Sequence, residues 1–80
     1  MVLIAYDIVD EKRLAKVAKF LEEKGIRAQR SVFELDMSVQ KAKKIFKELE
    51  EILEDKDKCF LFKLEDKKDI QADTSIERIL

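Results

Sequence analysis

Asp7 is the first residue in this chain that asks for a chemical reason. It is set into the end of the run Val2-Leu3-Ile4-Ala5-Tyr6-Asp7-Ile8, which is otherwise apolar. A run of that length with Val, Ile and Tyr reads as a strand buried on both faces. An isolated carboxylate on such a strand is costly unless it is solvated, paired or bound to a cation. The plain alternative is that Asp7 stands in water at the strand exit, or caps the next helix. The chemical alternative is a metal. One carboxylate is a poor site for a divalent cation, but two copies across a two-fold axis, plus waters, would suit Mg2+ or Mn2+. A metal so held lowers the pKa of its water and stabilises a phosphoryl transition state. The chain has no histidine, so acid–base chemistry falls to carboxylates, Lys, Tyr or metal-bound water.

The cations fall in two groups. Lys12, Arg13, Lys16 and Lys19 lie on one predicted helix, and Arg27 and Arg30 on the strand after it. Arg13 and Arg30 can grip phosphate bidentately; the same charges also suit a solvated rim. On a second predicted helix, Lys41, Lys43, Lys44 and Lys47 fill the first half, and Glu48, Glu50, Glu51 and Glu54 fill the second. That arrangement opposes the helix dipole. Lys44–Glu48 and Lys47–Glu51 pairs are predicted to offset part of the cost. The basic end is expected to hold a nucleic-acid backbone or an acidic partner.

Composition narrows the classes. Eighty residues make one small domain, for which help from a partner subunit is expected. Lys+Arg is 17 against 18 Asp+Glu, so there is no global basic field of the kind a strong free-standing nucleic-acid binder carries. Charged residues make up 44% of the chain, which also lacks Pro, Asn and Trp, a thermophile-like composition. Cys59 is the only cysteine, which rules out an intrachain disulfide and a Cys/His zinc set. No apolar run reaches membrane-spanning length and no signal peptide is visible, so the expected location is cytoplasmic.

The elements that must position these groups follow from periodicity. Asp10 and Glu11 open a helix over about residues 11–24, with Leu14, Val17, Ala18 and Leu21 on one stripe and Gly25 at its C-terminal cap. Residues 26–36 read as two extended segments, broken near Arg30-Ser31. Ser38 caps a second helix over about residues 39–54, with Val39, Ala42, Ile45, Phe46, Leu49, Ile52 and Leu53 as its apolar stripe. Residues 54–58 form a polar turn and 59–64 a strand. Residues 65–69 read as a solvated charge run, and 74–80 as a short final strand. This is an α+β chain in one 1–80 domain, with the ferredoxin-like βαββαβ order and two helices on one face of an antiparallel sheet. The even-numbered face of the first strand, with Tyr6, is expected to meet the helices. The odd-numbered face, with Asp7, is expected to meet the sheet of a second copy, giving a homodimer.

Taken together, Tyr6-Asp7-Ile8 ending an apolar strand, then Asp10 with Lys12-Arg13, then Gly25, then Gln29-Arg30-Ser31-Val32-Phe33-Glu34, resemble CRISPR-associated protein two. The resemblance covers about the first 65 residues. It implies a ferredoxin-like fold and a dimer formed through the sheet faces. It also implies a C-terminal strand, within 65–80, that pairs with the partner protomer. Asp7 matches the family's strand-end Asp, which implies a catalytic Mg2+ (or Mn2+) ligand. Arg13 and Arg30 match basic family positions and Phe33 the motif's aromatic, with Tyr6 and Ser31 as supporting neighbours. With the basic cluster read above, the expected nucleic-acid contacts are Lys12, Arg13, Lys16, Arg27 and Arg30. The implied activity is metal-dependent endonuclease action on RNA or double-stranded DNA within CRISPR spacer acquisition. Members also act as a scaffold between dimers of the CRISPR integrase, a role in which the Asp need not act. A toxin-type ribonuclease of the VapD-like group shares the fold and is the other reading. The chain departs from the family at Leu14, where many members carry a further Arg, and in lacking a Gly-containing turn between its second and third strands.

Overall fold

The computed structural model describes residues 1–64 and 77–79. In chain order the elements are β1 (Val2–Asp7), α1 (Glu11–Glu22), β2 (Ile26–Gln29), β3 (Val32–Leu35), α2 (Val39–Ile52), β4 (Lys58–Lys63) and β5 (Glu77–Ile79). Two side chains set the helix starts. The Asp10 carboxylate accepts the Arg13 amide at 2.8 Å, and the Ser38 hydroxyl accepts the Lys41 amide at 3.3 Å. Each satisfies a donor that the first helical turn leaves without an internal partner.

The end of α1 differs from expectation. The helix stops at Glu22 with Glu23 as its cap, and the amides of Lys24 and Gly25 both return to the Leu21 carbonyl at 2.9 Å. Gly25 is therefore past the cap. A Cβ at this position would run into the Glu34 backbone carbonyl of β3. Close passage of two chain segments requires the glycine, not a left-handed helix terminus.

The strands form one sheet in the order β2-β3-β1-β4-β5, with every neighbouring pair antiparallel. Its first four strands have the ferredoxin-like order. The expected break near Arg30-Ser31 resolves into two features. The chain turns at Arg30-Ser31 to form a hairpin, and the β2–β3 register shifts between Arg27 and Gln29. Glu77–Ile79 pair with β4 of the same chain, Leu61 opposite Ile79. The expectations for 65–76 and for Leu80 lie outside the described residues.

Strand alternation divides the sheet into two unlike faces. Val2, Ile4, Tyr6, Phe33, Leu35 and Leu61 face the helices and pack with Val17, Leu21, Ala42 and Leu49 in the core. The other face carries Leu3, Ala5, Val32, Phe60 and Phe62, with the two phenylalanine rings 6.3 Å apart, and Ile26 at its β2 edge. Ile26 is 74% exposed. No described helix packs on this second face, although Leu3 is buried on it and Glu34 stands opposite Leu3. Among the described residues no helix is long and apolar enough to cross a membrane.

Candidate metal and nucleic-acid site

Asp7 ends the central strand β1 on the face turned away from the helices, and its side chain is exposed. Directly opposite it on β4 stands Lys58. The Arg30-Ser31 turn lies beside the same end, fixed by the Tyr6 amide donating to the Ser31 carbonyl at 3.1 Å. Among the described residues no three metal-ligating side chains gather in one place. Among the described residues Asp7 is thus a lone strand-end carboxylate.

Tyr6 points away from Asp7, into the core. Its ring stacks on Phe33 at 6.3 Å and 21°. Burial raises the pKa of its hydroxyl, opposed by the nearby Arg27 charge. Tyr6 and Phe33 therefore support the strand from behind and do not line the carboxylate. Cys59, opposite Tyr6 on β4, also faces inward, and burial pushes its thiol up to about 12. It is a packing residue, not a nucleophile.

The cations separate into engaged and free groups. Arg13 is engaged: its Nε donates to Asp57 at 2.7 Å and its Nη2 at 3.1 Å. Its Nη1 lies 3.4 Å from Glu54 and 3.9 Å from Asp10. All three guanidinium nitrogens thus face carboxylates of the same chain. Arg27 lies 5.1 Å over the Phe33 ring and 3.4 Å from Glu22, on the helix side of the sheet. Lys12, Lys16 and Arg30 are exposed, and none of them takes part in an ion pair among the described residues. The predicted Lys44–Glu48 and Lys47–Glu51 pairs do not form either, so Lys41, Lys43, Lys44 and Lys47 extend as an unpaired basic half of α2.

Asp57 is the residue sequence reasoning missed, since 54–58 reads as a solvated turn. Its carboxylate has no exposed surface and accepts both Arg13 contacts, the Glu54 amide at 2.9 Å, and the Val9 amide. It ties the exit of β1, the first turn of α1 and the α2–β4 loop into one corner, two residues from Asp7. The only sequence signal was an acid three residues after Glu54, the spacing of a side-chain-to-backbone turn. The Arg13 hydrogen bonds hold the Asp57 carboxyl below its ordinary value of 3.8. A depressed carboxylate stabilises the fold in full above the ordinary value and loses that contribution as pH falls through the lowered one. In urea titrations, the midpoint gap between wild type and Asp57→Asn is expected to stay constant down to about pH 5 and to close below about pH 4. A gap that persists unchanged at pH 2–3 would rule this out.

Fold and site together define a class: small ferredoxin-like α+β proteins with both helices on one sheet face and a carboxylate on the other, at the end of the central strand. The family described as CRISPR associated protein Cas2 matches residues 1–72. The chain belongs to the CRISPR-associated Cas2 family. It is 40% identical over 60 residues to CRISPR-associated endoribonuclease Cas2 3 of Synechocystis sp., covering 75% of this chain and 65% of that one. It is 49% identical over 47 residues to CRISPR-associated endoribonuclease Cas2 4 of Rhodospirillum rubrum, covering 59% and 38%. The chain spans less than two thirds of the length of these curated relatives. Among solved structures, Streptococcus pyogenes Cas2 superposes with a TM-score of 0.70 at 32% identity, covering 92% of this chain and 94% of that one. A hypothetical protein of Thermus thermophilus gives 0.73 at 27% identity, covering 81% and 80%.

Proposed function

We propose that the chain is a CRISPR adaptation protein, a homodimer with Mg2+- or Mn2+-dependent endonuclease activity on RNA or double-stranded DNA. The observation that carries this is Asp7, an exposed carboxylate at the end of the sheet face turned away from the helices. Two such faces packed about a two-fold axis bury the partly exposed Ala5, Val32, Phe60 and Phe62 and bring two Asp7 carboxylates toward one another. That donor set, oxygen only and completed by water, suits Mg2+ or Mn2+. When bound, the cation supplies charge neutralisation and a more acidic water. The chain's own residues do the rest. Asp7 holds the cation, the apolar face excludes bulk water around it, and Lys12, Lys16 and Arg30 bind flanking phosphates. Relatives named endoribonucleases support the reading.

A site shared by two chains has a kinetic signature. Activity per chain is expected to stay constant at high protein concentration and to fall on dilution through the dimer dissociation constant, in parallel with the sedimentation-measured dimer fraction. Activity per chain that is indifferent to dissociation would overturn the shared site.

The second reading is a scaffold that bridges the CRISPR integrase and DNA without cutting. The engagement of Arg13 and Arg27 within the fold favours it, because fewer cations are left to grip substrate tightly. In either reading the basic half of α2 provides a second backbone contact. Lys43→Glu with Lys44→Glu is expected to weaken nucleic-acid affinity about tenfold and to make its log–log salt slope shallower by about two. An unchanged slope in fluorescence anisotropy would remove α2 from the interface.

A further inference from the structure

Lys58 opens β4 and stands in register with Asp7. Residues directly opposite in an antiparallel pair have Cβ atoms about 4.5–5.5 Å apart and point to the same face. Opposite charges so placed are well positioned for a cross-strand ion pair. Here they do not form one. Among the described residues the ion pairs are those of Arg13 and Arg27, and neither Asp7 nor Lys58 takes part. Both side chains are exposed. The face away from the helices therefore ends in a carboxylate and an ammonium side by side, each without a partner among the described residues.

The backbone beneath Lys58 is held in place. Asp57, the residue before it, accepts from Arg13, Glu54 and Val9. The same carboxylate that ties down the exit of β1 thus ties down the start of β4. The spacing of the Asp7 and Lys58 backbones is set before any ligand arrives.

We propose that Lys58 is the residue that holds the reacting phosphate beside Asp7. This rests on the reading of Asp7 as a cation ligand. Two Asp7 carboxylates balance the charge of one divalent cation, which leaves the phosphodiester's negative charge without a counter-charge. An ammonium is a compact point charge with three donors, suited to a non-bridging phosphate oxygen. During hydrolysis the water oxygen bonds to phosphorus and the bond from phosphorus to one sugar oxygen breaks. One water proton is released to solvent, and the departing sugar oxygen takes a proton from solvent. Negative charge grows on the phosphoryl and departing oxygens, and Lys58 keeps its own protons while neutralising part of it. Donors aimed at developing charge are worth about a hundredfold or more in rate.

The test uses the intact dimer as wild type, Lys58→Gln, Lys58→Arg and Asp7→Asn, with two readouts. The first is anisotropy of a labelled oligonucleotide across a salt series in EDTA, where no metal contributes. The second is single-turnover cleavage in Mg2+. Lys58→Gln is expected to weaken metal-free binding about threefold, to make the log–log salt slope shallower by about one, and to slow cleavage about a hundredfold. Lys58→Arg is expected to restore the slope and part of the rate. Asp7→Asn is expected to lose the rate and keep the metal-free binding. A Lys58→Gln dimer with wild-type slope and rate, beside an inactive Asp7→Asn, would overturn the Lys58 assignment alone. An Asp7→Asn dimer that cleaves at the wild-type rate would overturn the metal reading, and the Lys58 assignment with it.

Discussion

Asp7→Asn is expected to lower Mg2+-dependent cleavage about a thousandfold while leaving the fold intact. The magnitude follows from the role proposed for Asp7. A divalent cation contributes several kcal/mol of charge stabilisation at a phosphoryl transition state, and about 4 kcal/mol corresponds to about three powers of ten. Replacing the two charged ligands by amides removes the anionic donors that Mg2+ prefers. Stability should hold, because Asp7 is exposed and forms no ion pair among the described residues. The fold does not use the charge, so its removal costs little. Rate and thermal midpoint therefore separate in this variant. A full wild-type rate in the purified variant would mean that Asp7 holds no catalytic metal. If spacer integration by a CRISPR integrase survives the substitution while cleavage is lost, the proposed scaffold role is independent of the chemistry.

Phe33→Ala is expected to have the largest effect on stability, about 3–5 kcal/mol. Phe33 is fully buried, stacks on Tyr6, and carries the Arg27 guanidinium on its edge of the sheet. It also pairs with Ile4 across β1 and β3. Removing the ring leaves a cavity in the core beside Tyr6. An 80-residue chain has about 4–12 kcal/mol in all at the usual per-residue figure, so most of it would be lost. Urea denaturation at a fixed protein concentration measures the loss, since the proposed dimer would add its own stabilisation. Phe33→Leu keeps most of the volume and should cost less than half as much. Equal midpoints for the alanine variant and wild type would contradict the packing described.

The two variants bear on how far residue types predict roles. The helix starts at Asp10 and Ser38 were legible because capping is a local rule written within four consecutive positions. The even face of β1 was legible because its partners, Phe33 and Leu61, repeat the same alternation on neighbouring strands. Arg13 was not. A guanidinium fits a phosphate and a carboxylate equally well, and its partner lies 44 residues away. Gly25 was placed at a helix end for a local reason, but the reason is non-local: a carbonyl on β3. The Lys–Glu pairs of α2 fit the spacing rule, yet exposed pairs gain too little to hold two long side chains together. Lys58 was passed over because nothing in the sequence shows which residue will stand opposite Asp7.

The corner built on Asp57 has a mechanical consequence. Loop amides normally exchange with solvent one by one, each on its own opening. The amides of Val9 and Glu54 lie in different loops, 45 positions apart in the chain, yet both donate to one carboxylate. Neither is freed fully unless the corner parts. Their exchange rates are tied to a single event, and so is the alignment of the strand ends on either side of it.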